Sequence, residues 1–300
     1  MYVEYFFQTA VLHEIKFDPS LTQSIQVFSV KDYGSQAIGA SQQKYCISIE
    51  RPSLTLDRVM EGMSRNDGYR QDLDLRKRYA GKVCAVLRMI AKSLRHLHAS
   101  GVIHGDLSMQ NCGKFDESWK LMGCLGVQRI GQNVDTAKWD KAFPPESVMI
   151  GEDEHRGGLY DDDNVPVTFT RDLVAQPAAD IWAFGKLAFE MLVGRPLVDV
   201  DPSKTNRKKD PVPLLQVMEW DEENMRTVFE DFLDASIPDS GADLFTSCLF
   251  PAADQRPKSM DEILSSPFWK EMRKSKAKDH GRRSRRSEAS SVPSTQTYEI

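Results

Sequence analysis

The chain has little of what marks a secreted, metal-stapled or membrane protein. Its five cysteines, Cys46, Cys84, Cys112, Cys124 and Cys248, are odd in number, far apart and never spaced Cys-x-x-Cys. That pattern implies neither a disulfide framework nor a zinc site, and a reducing compartment is expected. No apolar run approaches the ~20 residues of a membrane-spanning helix. The apolar stretch from Tyr2 to Leu12 carries Glu4 and no basic leader, so no signal peptide is expected. The excess of one charge over the other is small too. A formal net charge of −5 over 300 residues gives no whole-molecule argument for a specific nucleic acid or an anionic membrane as partner. These absences together set the expectation of a cytoplasmic or nuclear chain.

What is present is an ordinary globular composition, 40% hydrophobic and 28% charged, on a length that allows one large or two modest domains. Residues 4 to 16 place Phe7, Val11, Leu12 and Ile15 at helical spacing, and Pro19 ends that helix. Residues 25 to 30 and 45 to 49 read as short strands, joined by a loop marked by Gly34, Ser35, Gly39 and Ser41. From 77 to 100 the apolar positions Val83, Val86, Leu87, Ile90, Leu94 and Leu97 recur at three and four, which predicts a helix with one buried stripe. Gly101 stops it. Residues 112 to 115 and 119 to 122 predict a hairpin around Asp116-Glu117-Ser118, and 180 to 193 a strongly apolar helix closed by Gly194. Further helices are expected over 222 to 234 and 241 to 250. Beyond Trp269 come basic runs and then a Ser/Thr-rich end, a composition too poor in apolar residues to pack and expected to be disordered.

Four motifs stand in a telling order. The first is His104-Gly105-Asp106-Leu107-Ser108-Met109-Gln110-Asn111, which resembles the catalytic loop of the protein kinases. Phe143-Pro144-Pro145-Glu146 then resembles the Ala-Pro-Glu motif that closes a kinase activation segment. Asp180-Ile181-Trp182-Ala183-Phe184-Gly185 resembles the opening of the long buried C-lobe helix. Asp254-Gln255-Arg256-Pro257 and Ser266-Pro267-Phe268-Trp269 resemble the family's last elements. The resemblance, to serine/threonine kinase-like members of the superfamily, covers residues from about 40 to 271.

It implies an α+β, protein-kinase-like fold: a mostly α-helical C-lobe with a residual, incomplete β N-lobe. Residues 1 to 56 would form that N-lobe, with a helix-C-like segment whose ion-pairing position is Gln8 or Glu4 and a hinge at Glu50 to Leu56. Residues 57 to 271 would form the C-lobe, carrying an acidic insertion at 151 to 164, and 272 to 300 the basic tail. Asp106 takes the place of the base and Asn111 that of a metal ligand. His104, Glu146, Asp180 and Arg256 take structural places: Asp180 holding the loop backbone, Glu146 in a buried ion pair with Arg256. Glu50 and Pro52 fall at the hinge that meets adenine, and the cofactors implied are ATP and Mg²⁺.

Several parts of the phosphate chemistry are missing from the pattern. No Gly-x-Gly-x-x-Gly loop and no Val-Ala-Ile-Lys strand precede residues 4 to 16, so the N-lobe reads as truncated. The metal-binding Asp-Phe-Gly triplet falls on Cys124-Leu125-Gly126 in one register and Gly123-Cys124-Leu125 in the other; neither supplies an Asp, and a thiolate is a soft ligand for Mg²⁺. The position after the catalytic-loop His is Gly105, not Arg, so a phosphate on Thr136 lacks its usual guanidinium partner.

Scaffold kept while phosphate chemistry is lost is the pattern of a pseudokinase, a binding or regulatory domain with protein partners. The alternative is a divergent ATP-dependent serine/threonine kinase whose missing N-lobe lies upstream of an incorrectly chosen Met1. His-Gly-Asp is also the form found in aminoglycoside and choline kinase-like phosphotransferases, which act on small molecules but lack the three later motifs. The basic tail is a candidate for anionic partners and the acidic stretch for basic ones.

Overall fold

A computed structural model of the chain describes residues 24–29, 45–49, 51–66, 72–123, 126–134, 144–150, 159–160, 166–170, 173–198 and 211–273. The elements in order are β1 (Ser24–Ser29), β2 (Tyr45–Ile49), β3 (Leu54–Thr55), α1 (Leu56–Asn66), α2 (Leu73–Ala99), β4 (Val102–Ile103), β5 (Cys112–Phe115) and β6 (Ser118–Leu121). There follow β7 (Gln128–Arg129), β8 (Val148–Ile150), β9 (Leu159–Tyr160), β10 (Pro166–Phe169), α3 (Pro177–Leu192), α4 (Pro211–Met218), α5 (Glu222–Asp234), α6 (Asp239–Ser247) and α7 (Met260–Ser265). Among the described residues the strand pairings are antiparallel: β1 with β2, β3–β5–β6, β4 with β7, and β8–β10–β9.

Helix α2 spans about 40 Å at 1.5 Å per residue and starts where Asp72 accepts a hydrogen bond from the Leu75 amide at 3.0 Å. Its stripe of Val83, Leu87, Ile90, Leu94 and Leu97 is at most 1% exposed. Helix α3 is apolar on nearly every face, and Trp182, Phe184 and Phe189 are fully buried. Around it runs a chain of edge-on and tilted rings, Phe189–Phe232 at 5.6 Å, Phe232–Phe245 at 5.6 Å and Phe245–Phe268 at 5.3 Å. Gly185 permits the approach: a Cβ there would lie 2.8 Å from Cys248 Cβ. Cys84 and Cys248 are buried thiols whose pKa burial pushes up to about 12; burial raises Cys112 further still.

The structure adjusts several sequence expectations. The helix expected from 77 runs from Leu73, because Asp72 caps it one turn earlier, and the one expected from 180 starts at Pro177, a residue well suited to a helix's first turn. The helix expected over 241–250 is observed at Asp239–Ser247. Among the elements that went unread in the sequence are helix α1 and strand β9. Helix α1 buries Leu56, Val59, Met60 and Met63. Strand β9 lies within the acidic stretch and pairs with β10 through Leu159↔Val167 and Tyr160↔Pro166. Residues 4 to 16, Glu50, Cys124, Leu125, Thr136, most of 151–164 and 274–300 lie outside the described residues. Among the described residues no helix is long and apolar enough to cross a membrane.

Candidate functional site

Strand β4 delivers the chain to the loop at 104–111, and a buried polar frame holds that loop. Asp180, 1% exposed on the first turn of α3, accepts from the His104 amide at 2.7 Å and the Gly105 amide at 2.9 Å. His98, in the last turn of α2, bonds the same carboxylate through Nε2 at 2.8 Å. Burial alone would raise the Asp180 pKa. The hydrogen bond from His98, the electrostatic pull of the His98 and His104 rings and the His104 amide outweigh it and hold the carboxyl below its ordinary range. One side chain thus ties two helices to the loop between them.

His104 faces the other way. Its Nε2 donates to the Met122 carbonyl at 2.9 Å, which assigns the Nε2–H tautomer and leaves Nδ1 to accept from the Asp106 amide at 3.3 Å. Asn111 closes the loop on itself: its Nδ2 donates to the Asp106 carbonyl at 2.7 Å and to Asp106 Oδ2 at 2.8 Å. Asp106 and Asn111 therefore stand together. Against the remaining oxygen of Asn111 lies Gly123, at φ +80°, where an added Cβ would sit 2.5 Å from Oδ1. Gly126 packs on the loop from behind, with a Cβ position 2.8 Å from the Gly105 carbonyl carbon and 2.9 Å from Asp106 Cβ.

Glu146 and Arg256 meet across the lobe. Arg256 donates NH1 to Glu146 Oε1 at 2.8 Å and NH2 to Oε2 at 2.6 Å, a fork-on-fork pair. Its remaining donors reach the carbonyls of Phe250, Ala178 and Pro251 at 2.8 to 3.0 Å, and its guanidinium stands 5.0 Å over the Trp182 ring. The pair is one-sided in burial: the Arg256 side chain is fully buried while that of Glu146 is 27% exposed.

Pro52 precedes β3 and, with Arg51, Ser53, Phe115 and Asp116, lines an open cavity of about 310 Å³. The oxygen donors gathered at the loop are those of Asp106 and Asn111. Among the described residues, no group of three or more His, Cys, Asp or Glu side chains could hold a metal ion. Three features of this site escaped the sequence: the His98 bond, the Met122 tie and the backbone of Gly105, which stands at φ +70°. A His in the last turn of a helix six residues before the loop was the one available signal.

The Gly105 conformation carries a prediction. An L side chain in the left-handed region costs about 1 to 2 kcal/mol, so Gly105→Arg should lower stability by about that much. A melting curve should fall by roughly 2 to 8 °C; an unchanged or higher Tm would show the backbone to be free of that demand.

No family model matches the chain. It is 25% identical over 204 residues to serine/threonine-protein kinase SMU1 of Mycosarcoma maydis, a match covering 63% of this chain and 21% of that protein. It is 26% identical over 197 residues to misshapen-like kinase 1 of Rattus norvegicus, covering 62% of this chain and 12% of that one. The matched stretches span about a fifth or less of those relatives' own length. A solved structure of the CAK complex from Chaetomium thermophilum bound to ATP-gamma-S superposes with a TM-score of 0.54 at 16% identity, over 89% of this chain and 77% of that one. The chain has a protein-kinase-like α+β fold with a mostly helical C-lobe. Of its N-lobe strands ahead of residue 50, β1 and β2 fall among the described residues.

Proposed function

We propose that this kinase-like domain is a pseudokinase, a binding or regulatory scaffold that does not transfer phosphate at an ordinary rate. One observation carries the reading. The buried frame around Asp180 and the Glu146–Arg256 pair are complete, yet Asn111 Oδ1 faces bare Gly123, and the next residue is a cysteine. Mg²⁺ asks for a near-octahedral shell of oxygens. Asp106 and Asn111 do not fit a two-metal site by themselves. Were a metal-bound nucleotide held, Pro52 would lie at its ring end and Asn111 at its phosphate end, and the metal would supply charge neutralisation.

Without metal chemistry, the residues that remain can orient but not neutralise. Asp106 is fixed by Asn111 and by the His104 ring, so the loop keeps a defined shape. A single preorganised electrostatic donor is worth ~10²- to 10³-fold in rate. Losing several would take a kinase rate of about 1 to 100 s⁻¹ down by roughly 10⁵-fold. By composition, the acidic stretch 151–164 would suit a basic partner protein and the basic run from 272 an anionic one; the setting is cytoplasmic or nuclear.

The test is a melting curve of the full chain with ATP, with and without Mg²⁺, beside transfer of radiolabelled phosphate to a generic protein acceptor. No Mg²⁺-dependent shift and no transfer above an Asp106→Asn control are expected. A Mg²⁺-dependent rise in Tm together with transfer that the Asp106 change abolishes would favour the divergent kinase instead.

A further inference from the structure

We infer that this chain associates with copies of itself, the basic solvent face of α2 in one copy lying against the acidic face of α5 and α6 in the next. The inference goes beyond the scaffold proposal and does not depend on it.

The small net charge of −5 conceals a strong polarity. Helix α2 carries seven Lys and Arg residues against one Asp, a net of +6 with His neutral. Helices α5 and α6 together carry seven Asp and Glu residues against one Arg, a net of −6. Arg88 with Lys92, Glu230 with Asp234 and Asp239 with Asp243 all stand at i,i+4, where like charges destabilise a helix. Each face is thus under repulsion in a lone copy, and the opposite face would relieve it.

Both sets of charges lie in rows. On α2 the exposed Lys77, Arg78, Lys92 and Arg95, with half-buried Arg88, fall within about 100° of arc and run about 27 Å along the axis. They stand across the helix from its buried stripe. On α5 the exposed Glu223, Glu230 and Asp234 share about 40° of arc, and α6, packed beside it, exposes Asp239 and Asp243. Among the described residues no ion pair joins the two faces within one copy. Arg95 reaches Asp261 at 3.4 Å, Arg226 reaches Glu223 at 3.6 Å, and Asp231 takes Arg195. Exposed pairs of that kind are weak and easily exchanged.

The occupant is a second copy because the charge that satisfies α2 stands on this same chain in equal measure. A foreign polyanion drawn to α2 would be repelled by α5 and α6. The surfaces also leave room for close approach. Gly81, on the same arc of α2 as the cations, has nothing within 4 Å of an added Cβ, and Ala85 next along that arc is exposed. The acidic helix carries Leu233, 37% exposed, beside Asp234. Since the contact joins unlike faces, a pair keeps one face of each kind open and association does not have to stop at two.

The experiment is sedimentation velocity of the full chain over a range of concentrations, at about 0.1 M and about 1 M salt, where the screening length falls from about 10 to about 3 Å. Wild type should self-associate in the lower salt, at least ~10-fold more tightly than in the higher. Two charge-reversed variants follow, Lys77→Glu with Arg78→Glu and Lys92→Glu on α2, and Glu223→Lys with Glu230→Lys and Asp234→Lys on α5, each checked for folding by circular dichroism. Each alone should be monomeric. Because each keeps one intact face, an equal mixture should recover the association that neither shows by itself. Wild type monomeric in both salts, either variant still self-associating, or a mixture of folded variants that stays monomeric overturns the inference. Binding of polyglutamate by a monomeric wild type also overturns it and assigns α2 to a foreign polyanion. If a variant does not fold, zero-length cross-linking of ¹⁵N-labelled with unlabelled wild type decides: an isotope-mixed bond from Lys77 or Lys92 to an acid of α5 or α6 is expected, and its absence overturns the contact.

Discussion

Glu146→Ala should lower the free energy of unfolding by about 3 to 5 kcal/mol, the usual cost of leaving one partner of a buried ion pair behind. The asymmetry of the pair fixes which partner matters more. Glu146 has 27% of its side chain in solvent and would be rehydrated if left alone, whereas Arg256 has none. Its guanidinium would keep the Phe250, Ala178 and Pro251 carbonyls and the Trp182 ring but no counter-charge. Replacing both at once, as Glu146→Leu with Arg256→Met, removes the stranded charge, so the double variant should be more stable than Glu146→Ala alone. Urea unfolding of the three proteins settles it. A Glu146→Ala protein within 1 kcal/mol of wild type would mean that water reaches Arg256 easily and that the pair ties nothing down.

The second large effect is expected at Asp180. Asp180→Asn keeps one acceptor oxygen but turns an amide NH₂ toward donors, where His98, His104 and Gly105 now present theirs. Hydrogen bonds to a charged acceptor contribute ~1.5 to 3 kcal/mol each, so the loss should be at least ~3 kcal/mol at neutral pH. The acid dependence follows from the depressed pKa. The folded value lies below the unfolded one, so this stabilisation is fully present above the ordinary carboxylate range of about 4. It is lost as pH falls through the depressed folded value. Stability measured by urea from pH 7 to pH 3 should therefore fall more steeply for wild type than for Asp180→Asn, and the gap between them should narrow toward acid. A gap that stays constant would show that the carboxylate's charge contributes nothing and that only its shape does.

The larger lobe was readable because its signals are long and redundant. Six apolar positions on one stripe announced α2, and the all-apolar run around Trp182 announced α3; helix α5 matches the expected span, 222 to 234, at both ends. Asp221 and Asn224 cap it reciprocally, which is why its start was sharp. Helix α1 was missed although Val59, Met60 and Met63 keep helical spacing, because a hinge resemblance covered its first residues. Helix α4 holds two prolines, Pro211 and Pro213, in its first turn, where their missing donors cost little but their presence hides the helix. The site was legible as a set of residue types and illegible as a set of contacts. That Asp180, Glu146 and Arg256 belong near one another came from motif order. That His98 shares the Asp180 carboxylate, and that the Met122 carbonyl takes the His104 bond, comes only from elements brought together by the fold.

The backbone at Gly105 bears on the history of such a loop. Once the chain settles at φ +70° with its amide pinned to Asp180, an arginine arriving there by mutation meets a conformation hostile to side chains. A guanidinium introduced there would bring a charge but cost stability unless the turn was first rebuilt around it.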